Sequence, residues 1–178
     1  MTVFLTILIA LGAIIALIFI AGLFIGKNYN IERTVFIKQP NKKVFEFIRI
    51  LNNQDYYNKW WMDDPQPKKT LSGTDGTVGF VTGWDNKGNQ KGEQEIKKIT
   101  EEQRIDFELR FEKPFKNTAD TFLATTAVAE GTNLSWGFSG KNKIPMNVIY
   151  KVFNLEKKLG DDMSEGLNRL KKVLEEKL

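Results

Sequence analysis

The sequence predicts an α+β protein with one N-terminal transmembrane helix, followed by a domain in which an antiparallel sheet packs on a long C-terminal helix. Three observations support this prediction. Residues 3–25 contain no charged side chain and only one hydroxyl, on Thr6. Short segments of alternating polarity then follow, separated by turn residues, as is typical of antiparallel strands. The end of the chain has apolar residues at helical spacing.

The apolar run from Val3 to Ile25 is long enough to cross a membrane. As a helix with a rise of about 1.5 Å per residue it would extend roughly 34 Å, and a hydrocarbon core is about 30 Å thick. A cleavable signal peptide has a basic start and a shorter apolar segment, whereas the first two residues here carry no charged side chain. We therefore expect residues 1–27 to be a retained anchor in the lipid bilayer and residues 28–178 to form one water-soluble domain.

The charges that flank the apolar run predict the orientation of the chain. No lysine or arginine precedes the run, while Lys27, Arg33 and Lys38 follow it closely. Positively charged flanks stay in the cytoplasm. We therefore expect a single-pass membrane protein whose soluble domain is cytoplasmic.

Composition excludes several classes of chemistry. The chain has no cysteine and no histidine, and its formal net charge is +4. The lack of cysteine excludes disulfides and thiolate chemistry, and the lack of histidine removes the commonest general base and metal ligand. Basic and acidic residues alternate, unlike the clustered basic residues of nucleic-acid-binding proteins. We expect no metal, no cofactor and no nucleic-acid partner, and the composition leaves the oligomeric state open.

Turn residues divide the domain into one strand, a helical stretch and about six further strands. Residues 29–37 alternate as a first strand, and Asn41 is placed to cap the helix that follows the turn. Ile105 to Phe111 is the most regular later segment, with apolar and charged residues in strict alternation. The further predicted strands are 68–71, 78–84, 91–99, 105–111, 118–129 and 134–138.

The last part of the chain is predicted to be helical. Pro145 suits the first position of a helix, and Gly160 with the two aspartates after it is expected to interrupt or kink the helix. An amphipathic helix of this kind could bind a partner or a membrane, but the predicted sheet offers it an apolar face to cover. Its apolar face consists of Met163, Leu167, Leu170, Val173, Leu174 and Leu178.

Three segments of the chain match a known family, namely residues 31–45, residues 57–61, and residues 134–140 together with 160–172. They resemble the START-like superfamily, also called SRPBCC or the polyketide cyclase/dehydrase and lipid-transport superfamily, and in particular its bacterial members with an N-terminal anchor. The resemblance covers about residues 28–178. It implies the helix-grip (Bet v 1-like) fold, in which an antiparallel sheet wraps around a long C-terminal helix, and a location at the bacterial inner membrane. The superfamily includes lipid carriers, cyclases, ring-hydroxylase domains and chaperone-activating modules, so the resemblance does not define an activity.

The resemblance implies an apolar cavity between the sheet and the C-terminal helix, and the aromatic residues of this chain would suit one. The sequence has 13 phenylalanines and four tryptophans, although each ring could equally fill the core. Gly166 lies within the helix, where glycine costs about 1 kcal/mol relative to alanine, so it could leave room for a ligand or for close packing. The candidate cavity residues are Trp60, Trp61, Phe80, Trp84, Phe107, Phe111, Phe122, Trp136, Phe138, Met163 and Gly166.

Carboxylates are the strongest bases that the composition leaves. Glu93 and Glu95 are two apart in one predicted strand and share a face, with Asp120 in a later strand. If that face were inward, the pair could share a proton and act in acid–base chemistry. The lysines that flank the pair favour a solvent-facing strand with salt bridges, and we assign no catalytic residue.

The first functional hypothesis is a membrane-anchored binding module without catalytic activity, which takes up a hydrophobic small molecule or lipid in the cavity between sheet and helix. One alternative is an enzyme of the polyketide cyclase or hydratase type, with tyrosine or carboxylate groups in the cavity. Another is a protein-interaction or stress-response module with a partner on the outer face of the sheet. The sequence does not identify the ligand or decide whether a reaction is catalysed.

Overall fold

The computed structural model describes residues 2–62, 68–87 and 89–177. It confirms the predicted α+β fold, with one apolar N-terminal helix, one antiparallel sheet and a long C-terminal helix. A 3₁₀ turn at Leu51–Tyr56 and a π-helical turn at Val173–Lys177 complete the helical parts. The elements are α1 (Thr2–Phe24), β1 (Asn28–Ile37), α2 (Asn41–Arg49), α3 (Lys59–Met62), β2 (Lys68–Ser72), β3 (Val81–Asp85), β4 (Lys91–Thr100), β5 (Arg104–Lys113), β6 (Asn117–Val128), β7 (Gly131–Lys141), α4 (Met146–Val152) and α5 (Leu155–Lys172).

The seven strands form one antiparallel sheet in the order β1-β7-β6-β5-β4-β3-β2. Strands β2 to β6 each pair with the next strand along the chain, and β1 pairs with β7, the last strand. The pairing of Asn28 with Lys141 marks the end of the sheet where the chain arrives from α1, which we call the α1 end. Ile37, paired with Thr132, marks the opposite end.

One face of the sheet, which we call the inner face, is covered by helices and carries the core. Buried and more exposed residues alternate along β4, β5 and β6, as expected for strands with one covered face. Helix α5 runs beside β1 from the α1 end to the opposite end and buries Met163, Leu167 and Leu170. Burial of each such leucine stabilises the fold by about 1.5–3 kcal/mol relative to an exposed position.

Two local predictions are wrong. Asn41 does not cap α2, because Pro40 takes the N-cap position and the Asn41 amide donates instead to the carbonyl of Glu102 (2.7 Å). Gly160 does not interrupt the C-terminal helix, because α5 runs through it. The break lies before α5 at Asn154, which has a left-handed backbone with φ of 49°. Asparagine adopts this conformation more readily than most residues because its short side chain can hydrogen-bond locally.

The end of α1 is joined to the domain through α4. The Asn147 amide donates to the carbonyls of Gly22 (2.8 Å) and Ile25 (2.9 Å). Carbonyls at a helix C-terminus have no partner inside the helix, so these bonds satisfy groups that need one. Gly22 permits the close approach, because a Cβ at this position would lie 2.9 Å from the Ile144 side chain. Helix α4 therefore lies beside the last turn of α1.

We expect Asn147→Ala to loosen this junction, because it removes both hydrogen bonds to the end of α1. Each bond is worth about 1 kcal/mol, so local opening should become roughly tenfold or more frequent. The measurement is the rate of trypsin cleavage after Lys27 in the full chain held in a mild detergent. Asn142→Ala is the control, since Asn142 reaches the Lys27 carbonyl with its backbone N–H, which alanine retains. Equal cleavage rates for the two variants would contradict the proposed role of Asn147.

Candidate functional site

Towards the α1 end, the inner face of the sheet carries apolar side chains that the helices cover only in part. Trp84 of β3 and Leu109 and Phe111 of β5 are half-buried there. Ile105 and Phe107, which lie earlier in β5 and farther from the α1 end, are fully buried. The rings of Trp84 and Phe111 meet edge to face with their centroids 5.8 Å apart. The helices therefore do not cover the inner face completely as far as the α1 end of the sheet.

Two tryptophans of α3 extend this apolar surface. Trp61 meets Trp84 edge to face at a centroid distance of 6.1 Å. Trp60 meets Trp136 in the same geometry at 5.7 Å and remains 42% exposed. We call Trp60, Trp61, Trp84, Leu109 and Phe111 the half-buried cluster.

Ion pairs to α5 hold α3 in place. The Lys59 ammonium lies 2.9 Å from an oxygen of Asp162 and 2.8 Å from one of Glu165. The hydrogen bond with Glu165 is the main reason why the pKa of Lys59 is raised, and it lowers the pKa of the Glu165 carboxyl. At the start of α3, the Asn58 side-chain oxygen accepts a hydrogen bond from the backbone N–H of Trp60 (3.1 Å). Both tryptophans therefore lie on a short helix whose first residue is fixed to α5.

The ring of Trp61 has its own supports. Its indole N–H donates to the side-chain oxygen of Gln54 (3.2 Å), and the Lys69 ammonium lies 4.8 Å from the ring centroid. A cation over a tryptophan face is attracted by the ring quadrupole. Lys69 is held there by an ion pair of 2.8 Å with Asp55. The orientation of this ring is thus determined before any ligand binds.

Beneath the half-buried cluster the interior is packed. Trp136 donates from its indole N–H to the Thr121 hydroxyl (3.0 Å) and meets Tyr57 edge to face. A Cβ at Gly166 would lie 3.1 Å from the Trp136 ring, so this glycine serves close packing of the helix on the tryptophan. The Tyr57 hydroxyl is buried without a hydrogen-bond partner among the described residues, and burial raises the pKa of Tyr57. At neutral pH this hydroxyl is a hydrogen-bond donor and not a base.

The residues that the sequence predicts to line a cavity fall into two main groups in the structure. Those in the half-buried cluster are Trp60, Trp61, Trp84 and Phe111. Those packed in the core, with little or no exposed surface, are Phe80, Phe107, Trp136, Phe138, Met163 and Gly166. Apolar surface open to a ligand therefore lies towards the α1 end, beside the packed part of the interior.

The prediction for Phe122 is wrong, because this residue lies on the outer face of the sheet. Its neighbours Thr121 and Leu123 are buried on the inner face, so Phe122 points the other way. There its ring covers Gly137, and the Arg104 guanidinium lies 3.7 Å from its centroid. The segment around Phe122 has apolar residues on both faces, so its sequence pattern does not indicate which face is inward.

Three residues of the site escaped prediction from the sequence. Leu109 shares a face with Phe111, and the alternation of β5 could have identified it. Tyr57 follows a 3₁₀ turn, where no regular periodicity indicates which side chains point inward. Lys69 lies in a short strand, and nothing in the sequence places its ammonium over a tryptophan ring.

The carboxylates Glu93 and Glu95 lie on the outer face, where both pair with Arg110. The interpretation of this strand as solvent-facing and salt-bridged is therefore confirmed. Glu108, two residues before Arg110 in β5, pairs with the same arginine, and Asp120 of β6 is exposed on the outer face. Among the described residues, no group of three or more carboxylates is arranged to hold a metal ion.

A polar depression of about 970 Å³ also lies at the α1 end. Lysines and carboxylates line it together, including Lys27, Lys141, Asp120 and Glu108. Charges of both signs make it a poor site for an apolar ligand, because such a ligand would desolvate them without hydrogen bonding.

A model of the family described as polyketide cyclase/dehydrase and lipid transport matches residues 29–175. The chain belongs to this family. The family assignment agrees with the resemblance found in the sequence and covers nearly the whole domain after α1. No curated protein sequence matches the chain significantly.

Solved structures similar to this member of the polyketide cyclase/dehydrase and lipid-transport family show the same fold. The solution structure of the Aha1 dimer from Colwellia psychrerythraea has a TM-score of 0.57 at 14% identity and covers 83% of this chain and 97% of its own. A solution structure from Thermobifida fusca has a TM-score of 0.62 at 16% identity, covering 82% and 92%. The crystal structure of Ara h 8.0201 has a TM-score of 0.54 at 14% identity, covering 83% and 97%. At these identities the similarity shows the fold alone.

The packing around Trp136 predicts that a larger residue at position 166 destabilises the domain. We expect Gly166→Leu to lower the free energy of unfolding by about 1–3 kcal/mol, as overpacked cores do, measured by urea unfolding in a mild detergent. Gly160→Ala is the control, because its new Cβ meets only the flexible end of Arg33, which can move aside. A Gly166→Leu variant as stable as the wild type would mean that the space beside Trp136 is open.

The outer-face cluster predicts a pH-dependent contribution to stability. Hydrogen bonds from Arg110 and then Lys97 lower the pKa of the Glu95 carboxyl. A lowered pKa stabilises the fold above the ordinary glutamate value of about 4.3, and this contribution is lost as the pH falls towards the folded-state value. We therefore expect Glu95→Gln to lower the Tm at neutral pH and the difference from wild type to disappear in acid.

Glu130→Gln, on an exposed turn at the opposite end of the sheet, is the control for the Glu95 variant. It should leave the Tm unchanged across the same pH range. A Glu95→Gln penalty that persists unchanged in acid would show that ionisation of this carboxyl is not its cause.

Proposed function

We propose that this protein is a membrane-anchored binding module that takes up a hydrophobic small molecule or a lipid against the half-buried cluster. The observation that carries the proposal is the chain of aromatic contacts from Trp61 through Trp84 to Phe111, which is left partly uncovered, with the exposed Trp60 next to it in α3. Ligand sites are mostly apolar with few polar groups, and this surface has that character. Family membership supports the same class of function.

The position of the cluster supports uptake from a membrane. Trp84 and Phe111 lie near the ends of β3 and β5 that belong to the α1 end of the sheet. Helix α1 is long and apolar enough to span a membrane. A lipid that leaves the leaflet next to α1 would therefore meet the half-buried cluster first. The basic residues that follow α1 favour the cytoplasmic side for the domain.

Burial of apolar surface would drive binding. A ligand that removes about 200 Å² of apolar surface from water gains roughly 5 kcal/mol at about 25 cal/mol per Å². The aromatic rings are already fixed by Asn58, Lys59 and Gln54, so little side-chain entropy is lost on binding.

The distribution of titratable groups supports binding without catalysis. Among the described strand residues on the inner face there is no aspartate or glutamate. Lys69 is occupied by its ion pair with Asp55, and burial keeps Tyr57 protonated. The described side chains of the half-buried cluster therefore offer no free general base for a proton-transfer reaction.

Intrinsic fluorescence tests this proposal, because all four tryptophans of the chain lie in or directly beside the cluster. The full chain in a mild detergent is titrated with a brominated fatty acid, a contact quencher of tryptophan. We expect saturable quenching that an unbrominated fatty acid reverses. Phe111→Asp should weaken this binding at least tenfold, because a carboxylate in the cluster would be desolvated by the ligand.

Val128→Asp is the matched control, since Val128 is also a partly exposed apolar strand residue but lies at the opposite end of the sheet. It should bind like the wild type, and circular dichroism should show that both variants are folded. Absence of saturable quenching in the wild type, or equal quenching in the Phe111→Asp variant, would refute binding at the cluster.

A further inference from the structure

Three apolar side chains outside α1 are strongly exposed at the α1 end of the sheet. Phe115 lies in the turn between β5 and β6 and is 67% exposed, while Val152 and Phe153 at the end of α4 are 70% and 69% exposed. The two segments are distant in sequence. They lie at the same end because β5 ends and β6 begins there, and α4 follows the end of β7.

The contacts of α4 show which part of α1 it lies beside. Asn147 hydrogen-bonds to the carbonyls of Gly22 and Ile25, so α4 lies beside the last turn of α1. From Asn147 to Phe153 the chain advances about 10 Å at most at 1.5 Å per residue. If α1 spans the bilayer, Val152 and Phe153 must lie within about the depth of the headgroup region, where amphipathic helices bury their apolar side chains.

Lysines outnumber carboxylates around these apolar residues, although Glu112 lies next to Lys113 and pairs with Lys91, and Glu108 and Asp120 line the depression beside Lys141. Lys113 and Lys116 flank Phe115, and Lys141, Lys143 and Lys151 lie in or next to α4. These five lysines are exposed, and none forms an ion pair within the described part of the chain. No acidic residue occurs between Lys141 and Leu155.

The hairpin turns at the opposite end of the sheet are acidic. They carry Glu101 and Glu102 between β4 and β5, and Glu130 between β6 and β7. The turn that carries Phe115 at the α1 end has a lysine on each side, so it differs in charge from the hairpin turns at the other end.

We propose that the α1 end of the domain docks on the surface of the leaflet from which α1 emerges and that this leaflet contains anionic lipid. Phe115, Val152 and Phe153 enter the headgroup region, and the five lysines pair with lipid phosphates. This inference rests on the membrane anchoring in the proposed function. Docking holds the half-buried cluster at the height of the headgroups instead of letting the domain turn freely on α1.

Site-specific labels can test docking, because the chain has no cysteine of its own. The full chain is reconstituted in vesicles with a nitrobenzoxadiazole label on Phe115→Cys or Val152→Cys. Glu130→Cys, at the opposite end, is the control position. Lipids brominated in the acyl chain quench labels that reach the membrane. Phosphatidylcholine vesicles are compared with vesicles that also contain phosphatidylglycerol.

We expect both labels at the α1 end to be quenched several-fold more in phosphatidylglycerol vesicles than the label at position 130. At about 1 M salt the excess should fall, because the Debye length shrinks to about 3 Å. Replacing Lys113, Lys116, Lys141 and Lys143 by glutamine should remove most of the excess. The same replacement of Lys38, Lys42, Lys98 and Lys172, which lie towards the other end of the domain, should leave it unchanged.

Three results would overturn the proposal. One is an unquenched label at positions 115 and 152 in a chain that resists alkaline extraction from the vesicles. Another is quenching that is as strong in phosphatidylcholine vesicles as in vesicles with phosphatidylglycerol and that the lysine replacements do not change. The third is energy transfer between labels at position 115 on different copies, which would show that a second copy covers this face.

The test separates this inference from the proposed function. A chain released by alkaline extraction would refute both the anchoring and the docking. The fatty-acid titration in detergent needs no membrane surface, so binding at the half-buried cluster stands or fails independently of docking.

Discussion

The structure depends on one geometric constraint: the inner face of a seven-stranded sheet is wider than one helix can cover. Helix α5 packs beside β1 and seals that side of the sheet with Met163, Leu167 and Leu170. The strands farther from β1 need other cover, and a 3₁₀ turn with the four-residue helix α3 provides part of it. Towards the α1 end these short elements leave Trp84, Leu109 and Phe111 partly uncovered. The candidate site thus consists of this part of the inner face and the two tryptophans of α3 beside it.

A short helix is a weak support, since four residues form little more than one turn. The chain compensates with side-chain contacts to stable elements. Lys59 ties α3 to α5 through Asp162 and Glu165, while Trp61 is held from Gln54 and Lys69. Ion pairs near the surface contribute little free energy each, so their effect here is on geometry. They orient two large rings towards the sheet without closing the space in front of them.

Predictions from the sequence are correct where apolar residues recur at a regular period, and they fail where this periodicity is lost. Strand alternation and helical spacing were enough for the sheet, for α5 and for the salt-bridged outer face of Glu93 and Glu95, because periods of two and 3.6 residues indicate which face is buried. The sequence pattern does not identify the face of Phe122, because apolar residues occur on both sides of its strand. Glycine is a poor helix former and so predicts a break at Gly160, yet α5 continues through this residue and the Arg33 side chain occupies the space beside it. The degree of burial of a side chain depends on packing between elements that are distant in sequence. No local pattern could therefore predict that Trp84 is half-buried and Phe80 fully buried.

The junction between α1 and α4 fixes the domain relative to α1. Asn147 gives the last turn of α1 a fixed neighbour, and the same helix that carries Asn147 presents Val152 and Phe153 outward. A tether of free residues would let the domain sample every orientation above a membrane. Here only a short segment separates α1 from β1, and a hydrogen-bonded helix braces it from the side. The strand direction, and with it the position of the half-buried cluster, is therefore coupled to the axis of α1 by contacts within the fold.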